Sequence, residues 1–366
     1  MSEICYFDGK LPAEIKQMIF CYLDVTDLLN LCVACKSLNE FIGGSRDFMK
    51  KIWVKFYTFN LRDLDSLAAS IRSYEKLKVN RVKNGDQTRF IADLQQCWRK
   101  VLIYNSEFKE FRMFSELVES FSESIEELEV SDILIHSNDV NICSMKYPNL
   151  ERVMFRNVPS TAIELFLGSN KKLENASFDI AHPVEGKMPP NKIIFEFLMN
   201  CENLKHLQLG SHYIKSLFDQ EVLETKFDFQ LSKLMLRFPL VPDPSPDIEI
   251  NVSSFLANQP RIDWILFFEL QSDLVLSTTW NFIPSLSHIT FVGLECLFDD
   301  AMDVLIEPNE KIHTIALITR KVLISQLRKF FIGAPCLKTL HVQKLTRFVM
   351  EFTARNHPVI EELLYE

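Results

Sequence analysis

The sequence predicts an α/β fold in three parts. These are a three-helix module over residues 7–50, a helical linker over 51–97, and an irregular solenoid of about ten strand–helix repeats over 98–366, its parallel sheet on the concave side. Three observations predict it: helical periodicity between Leu11 and Gly44, a charged helical pattern after it, and an apolar triplet that recurs beyond Ser124.

The first module reads LPAEIKQMIFCYLDVTDLLNLCVACKSLNEF. Ile15, Met18, Ile19, Tyr22 and Leu23 fall at i, i+3, i+4, i+7 and i+8, one face of a helix. Pro12 suits a first helical turn, and Glu14 favours its positive end. Thr26 is placed to cap a second helix with Leu28, Leu31, Cys32 and Cys35 on its apolar face. Ser37 is placed to cap a third, with Leu38, Phe41 and Ile42, before Gly43-Gly44. Helices this short cannot bury every apolar face against one another. The surplus implies either a cap packed on the next domain or a surface for a partner.

From Arg46 to Arg112 the pattern is helical and charged, with eight Lys or Arg between Arg72 and Lys100 against Glu75, Asp86 and Asp93. The positive charges are not contiguous, which suits a solvated linker better than a nuclear-import or nucleic-acid patch.

Beyond Ser124 the pattern apolar-x-x-apolar-x-apolar recurs. Its copies are Ile125/Leu128/Val130, Leu150/Val153/Phe155, Leu173/Ala176/Phe178, Leu204/Leu207/Leu209 and Leu231/Leu234/Leu236. They continue as Ile262/Ile265/Phe267, Leu286/Ile289/Phe291, Ile312/Ile315/Leu317, Leu337/Leu340/Val342 and Ile360/Leu363/Tyr365, with a weaker copy at Trp98/Val101/Ile103. Leading positions are 25, 23, 31, 27, 31, 24, 26, 25 and 23 residues apart. The long intervals hold Pro-rich insertions, His182 to Asn191 and Pro239 to Asp247. Helical triads lie between the strands: Ile163/Phe166/Leu167, Ile194/Phe197/Leu198, Val252/Phe255/Leu256, Ala301/Val304/Leu305 and Leu327/Phe330/Phe331. Thr161 and Glu164 have capping-box spacing at the first triad. A doubly wound α/β domain is the alternative, but its strands would lack this fixed triplet.

Two resemblances follow. The order LPxEIxxxIFxYLDxxDLLxLxxxCKxLxxF closely resembles the F-box, through Leu11, Pro12, Glu14, Ile15, Ile19, Tyr22, Leu23, Asp27, Leu28, Leu29, Cys35, Lys36 and Leu38. One strand and one helix every ~20–29 residues is the leucine-rich-repeat signature, and FLMNCENLKHLQL and FFIGAPCLKTLHV look like the repeats of F-box and leucine-rich-repeat receptors. The ninth repeat position, usually Asn or Cys, is here Ile133, Val158, Leu270, Leu294 and Leu345, which implies an irregular solenoid. The resemblance implies a substrate-recognition adaptor of an SCF-type cullin–RING ubiquitin ligase. Leu11, Pro12, Ile15, Ile19, Leu23, Leu28 and Leu29 would bind the ligase adaptor, and through it a cullin. The alternative is a repeat scaffold for protein partners with no ligase role.

Composition agrees with an intracellular binder, in the cytoplasm or nucleus. The apolar fraction is 47%, the net charge is −9, and no apolar run reaches membrane-span length. The acidic balance disfavours nucleic acid and anionic membranes. Residues 1–12 show no signal-peptide pattern, and nine dispersed cysteines suit a reducing compartment. No nucleophile elbow, phosphate loop or metal spacing is present, so neither enzymatic activity nor a cofactor or metal is expected. Cys32-x-x-Cys35 reads as a packed helix face. Period-2 alternation projects Met235, Arg237, Trp264, Leu266 and Phe268 from one sheet face, with the composition of a protein-binding hot spot for a target. In WILFFEL a one-residue slip would bury Trp264 and Phe268 instead.

Overall fold

The computed structural model describes residues 11–56, 70, 72–82, 85–94, 96–136, 146–166, 170–179, 191–211, 213–214, 218, 227–238, 246–270, 273–293, 307–319, 324–343, 353 and 362–365. They fall into two compact units, divided after Leu150.

The first unit opens with helices α1 (Ala13–Phe20), α2 (Val25–Ala34), α3 (Lys36–Gly44) and α4 (Arg46–Met49). Phe20, Leu28, Leu38, Ile42 and Phe48 form their core. The rings of Phe20, Phe41 and Phe48 lie 5.9–6.1 Å apart, centroid to centroid. The caps differ from expectation. Pro12 precedes α1 and its carbonyl accepts from the amides of Ile15 and Lys16 at 3.1 Å. Asp24, not Thr26, caps α2, its carboxylate accepting from the Asp27 amide at 2.8 Å. Thr26 lies one residue inside the helix, where its hydroxyl cannot reach the first free amides. Ser37 likewise lies inside α3, which starts without a side-chain cap.

Strands β1 (Trp53–Phe56) and β2 (Lys76–Asn80) follow, then α5 (Gly85–Asp93), β3 (Lys100–Tyr104), β4 (Glu107–Phe108), α6 (Phe111–Glu119), β5 (Glu127–Ser131) and β6 (Leu134–Ile135). β1, β2, β3 and β5 are parallel neighbours in that order, and β4 pairs with β6. The expectation of a helical linker over 51–97 is therefore corrected: two strands lie there. Tyr74, Leu77 and Val79 have the repeat's spacing, 24 residues before Trp98/Val101/Ile103, and Leu77 and Val79 are fully buried. Lysines at the outward positions 76 and 78 make the strand look like a charged helical stretch.

Among the described residues, the second unit is a ladder of nine parallel strands in chain order. They are β7 (Arg152–Arg156), β8 (Asn175–Asp179), β9 (His206–Leu209), β10 (Lys233–Arg237), β11 (Trp264–Phe268), β12 (His288–Val292), β13 (Thr314–Ile318), β14 (Thr339–Val342) and β15 (Glu362–Tyr365). Between them lie α7 (Ser160–Glu164), α8 (Asn191–Met199), α9 (Pro246–Ala257), α10 (Asp273–Phe282) and α11 (Ile324–Gly333). The architecture is the expected solenoid of strand–helix repeats. Its irregularity lies in the helices, which run from 5 residues in α7 to 12 in α9. The strand register does not vary: each triplet position faces its counterpart next door, as Ala176–Leu207–Leu234–Ile265–Ile289.

Every triplet from Trp98 to Val342 is buried. Ile360 lies outside the described residues, as do the triad Ala301/Val304/Leu305, the ninth positions Leu294 and Leu345, and residues 182–190 and 239–245 of the insertions. The helices cover the face into which the triplets point. Phe114 of α6 packs on Phe108, Phe166 on Phe155, Phe197 on Phe178 and Phe330 on Phe291, at centroid distances of 5.2–5.3 Å. Third-position rings also stack on each other between repeats, Phe155 on Phe178 and Phe267 on Phe291. α7 starts after Pro159 with no side-chain cap bond there, so Thr161 lies within the helix rather than at its cap position.

Without an asparagine at the ninth position, Ile133, Val158 and Leu270 are buried apolar filler. Hydrogen bonding between repeats runs through the backbone. One carbonyl before each strand accepts two successive amides of the next: Glu75 from Arg99 and Lys100, Lys205 from Ser232 and Lys233, Asp263 from Ser287 and His288, all at 2.8–3.0 Å. Entry-turn side chains add to it, Asn149 donating to the Glu123 carbonyl and Asn203 to that of Lys171, both at 2.8 Å. At the strand exits Arg81, Asn105, Asp132, Asn157, Glu269 and Gly293 hold positive φ, a conformation Asn, Asp and Gly adopt at low cost. At Gly293 a Cβ would also collide with the Glu269 carboxylate.

Leu207→Asp puts a carboxylate into the buried layer between Ala176 and Leu234. The expected loss exceeds the about 2–5 kcal/mol of a core leucine truncation, because the charge has no partner there. Amide exchange should lose protection in β8 and β10 as well as in β9; loss confined to β9 would mean that the repeats do not support one another.

Candidate functional site

On the N-terminal helices a single row of core positions leaves the opposite row free. Ile15 and Ile19 are 40% and 43% exposed, Leu29 43%, and Met18, Tyr22 and Val33 more so. Pro12 is exposed beside them and Leu11 is half-buried. Isolated exposed apolar residues need no explanation, but a contiguous row of them does. Two expected members of this ridge sit elsewhere. Leu28 is 0% exposed inside the helical core, so it cannot face a partner, and Leu23 packs partly against that same core. The reason is angular: Leu28 and Leu29 differ by one residue, about 100° around α2, so only one of them can point inward. The helices are held in place from below. The Lys51 ammonium donates to the carbonyls of Cys21 and Leu23 at 2.8 and 3.3 Å, and Ser45 and Asp47 bond Gln17, each at 3.4 Å. Cys32 and Cys35 pack against the core, and burial pushes the Cys32 thiol up, opposed by the Arg72 charge.

In the second unit the five residues expected from the sequence to contact a target lie side by side on one face of the sheet. Met235 lies opposite Leu266 and Arg237 opposite Phe268, while Trp264 lies opposite Lys233. Trp264, Leu266 and Phe268 are half-buried while Ile265 and Phe267 are wholly buried, so the register is the one that leaves both rings outward. The Arg237 guanidinium stacks over Phe268 at 4.6 Å and reaches Asp179 at 3.5 Å. Sequence reading missed the continuation of this surface. Phe268 lies opposite Val292 and Val292 opposite Ile318, both half-buried, which extends the apolar strip across β12 and β13. The residue after each third triplet position was the available signal.

Towards β7 the same face gains polar and cationic side chains and forms a cleft, its exposed surface still mainly apolar, lined by Arg152, Met154, Asn175, Ser177, His206, Gln208, Lys233, Met235 and Trp264, among others. His206 hydrogen-bonds Asn175, and its imidazole is shifted below its ordinary pKa by burial and by Lys233 and Arg152, against Glu174 and Asp263. The first unit's uncovered face is different again: Lys76 and Lys100 lie over the Trp53 ring at 5.6 and 5.9 Å, Lys78 lies over Tyr104 at 4.8 Å, and Lys100 pairs with Glu127. Among the described residues no cluster of His, Cys, Asp or Glu could hold a metal ion, and no helix is long and apolar enough to cross a membrane.

Residues 9–54 match the F-box-like family model. The crystal structure of the Rad7 and Elc1 complex in yeast is similar at a TM-score of 0.49 and 13% identity, over 90% of this chain and 88% of that one. The crystal structure of the TLR13–ssRNA13 complex is similar at a TM-score of 0.37 and 11% identity, over 80% of this chain and 49% of that one. No curated protein matches the chain in sequence.

The division between core and ridge is measurable. Leu28→Ala should cost about 2–5 kcal/mol in urea unfolding, whereas Ile19→Ala should stay within about 1 kcal/mol. Equal losses would place Ile19 in the interior.

Proposed function

We propose that this chain is a substrate receptor of an SCF-type cullin–RING ubiquitin ligase. The N-terminal helices dock on the ligase adaptor, and the uncovered face of the repeats, read as leucine-rich repeats, holds the target. The observation that carries this reading is a coincidence on one element: the F-box-like match falls on the helices whose Pro12, Ile15, Ile19 and Leu29 stand in solvent. Docking there would cover apolar surface that the helical core leaves open.

The chain would supply no chemistry of its own. Its contribution would be proximity, a raised effective concentration of a target lysine at a conjugating enzyme brought by the other subunits. The complex would work in the cytoplasm or nucleus. Met235, Arg237, Trp264, Leu266 and Phe268 would form the target contact. A half-buried tryptophan beside an arginine stacked on a phenylalanine is the residue content of interface hot spots.

The test uses the full chain and a purified cullin-ligase adaptor. Replacing Ile15 and Ile19 together by Ala should weaken binding by about 2–4 kcal/mol, roughly 30- to 1000-fold, with an unchanged far-UV dichroism spectrum. Trp264→Ala should leave that affinity unaltered. If the wild-type chain does not bind the adaptor at all, the repeats serve as a protein scaffold without a ligase role.

A further inference from the structure

The cleft on the uncovered face of β7–β11 has a composition unlike the rest of that face. One row across the strands runs Arg152, Asn175, His206, Lys233 and Trp264, each directly opposite the next. The row beside it runs Met154, Ser177, Gln208 and Met235. Arginine and lysine are the only charged side chains lining the cleft among the described residues; no carboxylate does. The nearest carboxylate on this face of β8, Asp179, lies one row further on and is bonded by Arg237.

The floor is Ser177. It lies between Met154 and Gln208, only 8% exposed, and its hydroxyl has no hydrogen-bond partner among the described residues. A buried hydroxyl without a partner has lost its water bonds and gained nothing in exchange, which makes it a ready donor to an incoming acceptor. Arg152 and Lys233 are three strands apart, about 14 Å at ~4.8 Å per strand. Both nevertheless act on the imidazole between them, each lowering the His206 pKa. Both cations therefore lie within electrostatic reach of His206, one row from Ser177.

We propose that this cleft binds an oxyanion, a carboxylate or phosphate, on an extended segment of the target protein. This rests on reading the uncovered face as the target surface. The anion lies over Ser177 and His206 between Arg152 and Lys233, where two cations and a free donor meet an acceptor-only group. A peptide, rather than a free ion, fits because most of the surface that the cleft exposes is apolar, with Met154 at the β7 end as well. Past Lys233 it is bounded by Met235 and Trp264, and the apolar side chains of Leu266 and Phe268 continue the surface. The recognised segment is therefore acidic at one residue and apolar at the next.

A bound anion also changes His206. In the free chain the ring has Lys233 and Arg152 on one side of the balance and Glu174 and Asp263 on the other, with Asn175 as hydrogen-bond partner. An added negative charge raises its pKa, so the complex takes up a proton. Affinity then rises as the pH falls through the bound-state pKa towards the free-state value, and is level outside that window.

The experiment titrates the full chain with three peptides, acetyl-Leu-Xaa-Leu-Leu-amide with Xaa as Glu, phosphoserine or Gln, and with inorganic phosphate. Binding is read by calorimetry and by the His206 ring resonances. The charged peptides should bind at least tenfold more tightly than the Gln peptide, and the Glu peptide should raise the His206 pKa. If phosphoserine exceeds Glu, the target is a phosphorylated segment; if the two are equal, a carboxylate suffices. Arg152→Ala with Lys233→Ala, both exposed positions, should abolish the preference at an unchanged melting temperature, and Lys233→Arg should retain it. Equal binding of the Gln peptide, preference surviving in the double variant, or no peptide binding at millimolar concentration overturns the proposal. Inorganic phosphate binding as tightly as the peptides overturns the peptide part of it. Adaptor affinity is measured on the same proteins: an adaptor that fails to bind the wild type ends the ligase reading without touching this one.

Discussion

A strand whose helix covers only one face must bury that face against its neighbours, because a single repeat encloses nothing. Leu204, Leu207 and Leu209 become interior only when Leu173, Ala176 and Phe178 stand on one side and Leu231, Leu234 and Leu236 on the other. This constraint aligns the register of every described strand pair, since a slip of one residue would turn the whole apolar set outward. It also explains why the ladder survives without an asparagine at the ninth position. Apolar burial sets the alignment, and backbone amides shared on one carbonyl complete the hydrogen bonding.

Once the inward layer is determined, the outward layer is free to vary. It does so in sectors: lysines over aromatic rings on β1–β3, a cationic cleft on β7–β10, and an apolar strip from β11 to β13. Neighbouring side chains on such a face come from residues some twenty-five positions apart, so each sector is composed by several repeats at once. The N-terminal helices obey the same rule on a smaller scale. Phe20, Leu28, Leu38, Ile42 and Phe48 close a core, and the row left over, with Ile15, Ile19 and Leu29, stands in solvent.

Residue spacing alone determined the repeat, the inward triplets and the outward direction of Met235 and Arg237, because a period of two is a local property of an extended chain. In the apolar run WILFFEL it left two registers open, and only the pairing of β11 with β10 turns Trp264, Leu266 and Phe268 outward. Spacing also determined the three helices, while Pro12, Ile15, Ile19 and Leu29 of the exposed ridge were named through the resemblance to the F-box. It did not separate Leu28 from Leu29 as core and surface, since two adjacent leucines on a short helix give the same pattern whichever one points inward. Helix caps were misplaced by one or two residues for a related reason: Asp24 and Thr26 are both suitable cap residues, and the turn geometry chooses between them. Strands β1 and β2 were hidden because their outward positions are mostly lysine, and only pairing with β3 shows that Leu77 and Val79 belong to the buried layer. The cleft could be seen only in the tertiary structure. Arg152, Ser177, His206 and Lys233 come from four repeats, and what they can bind depends on parallel pairing that brings their rows side by side.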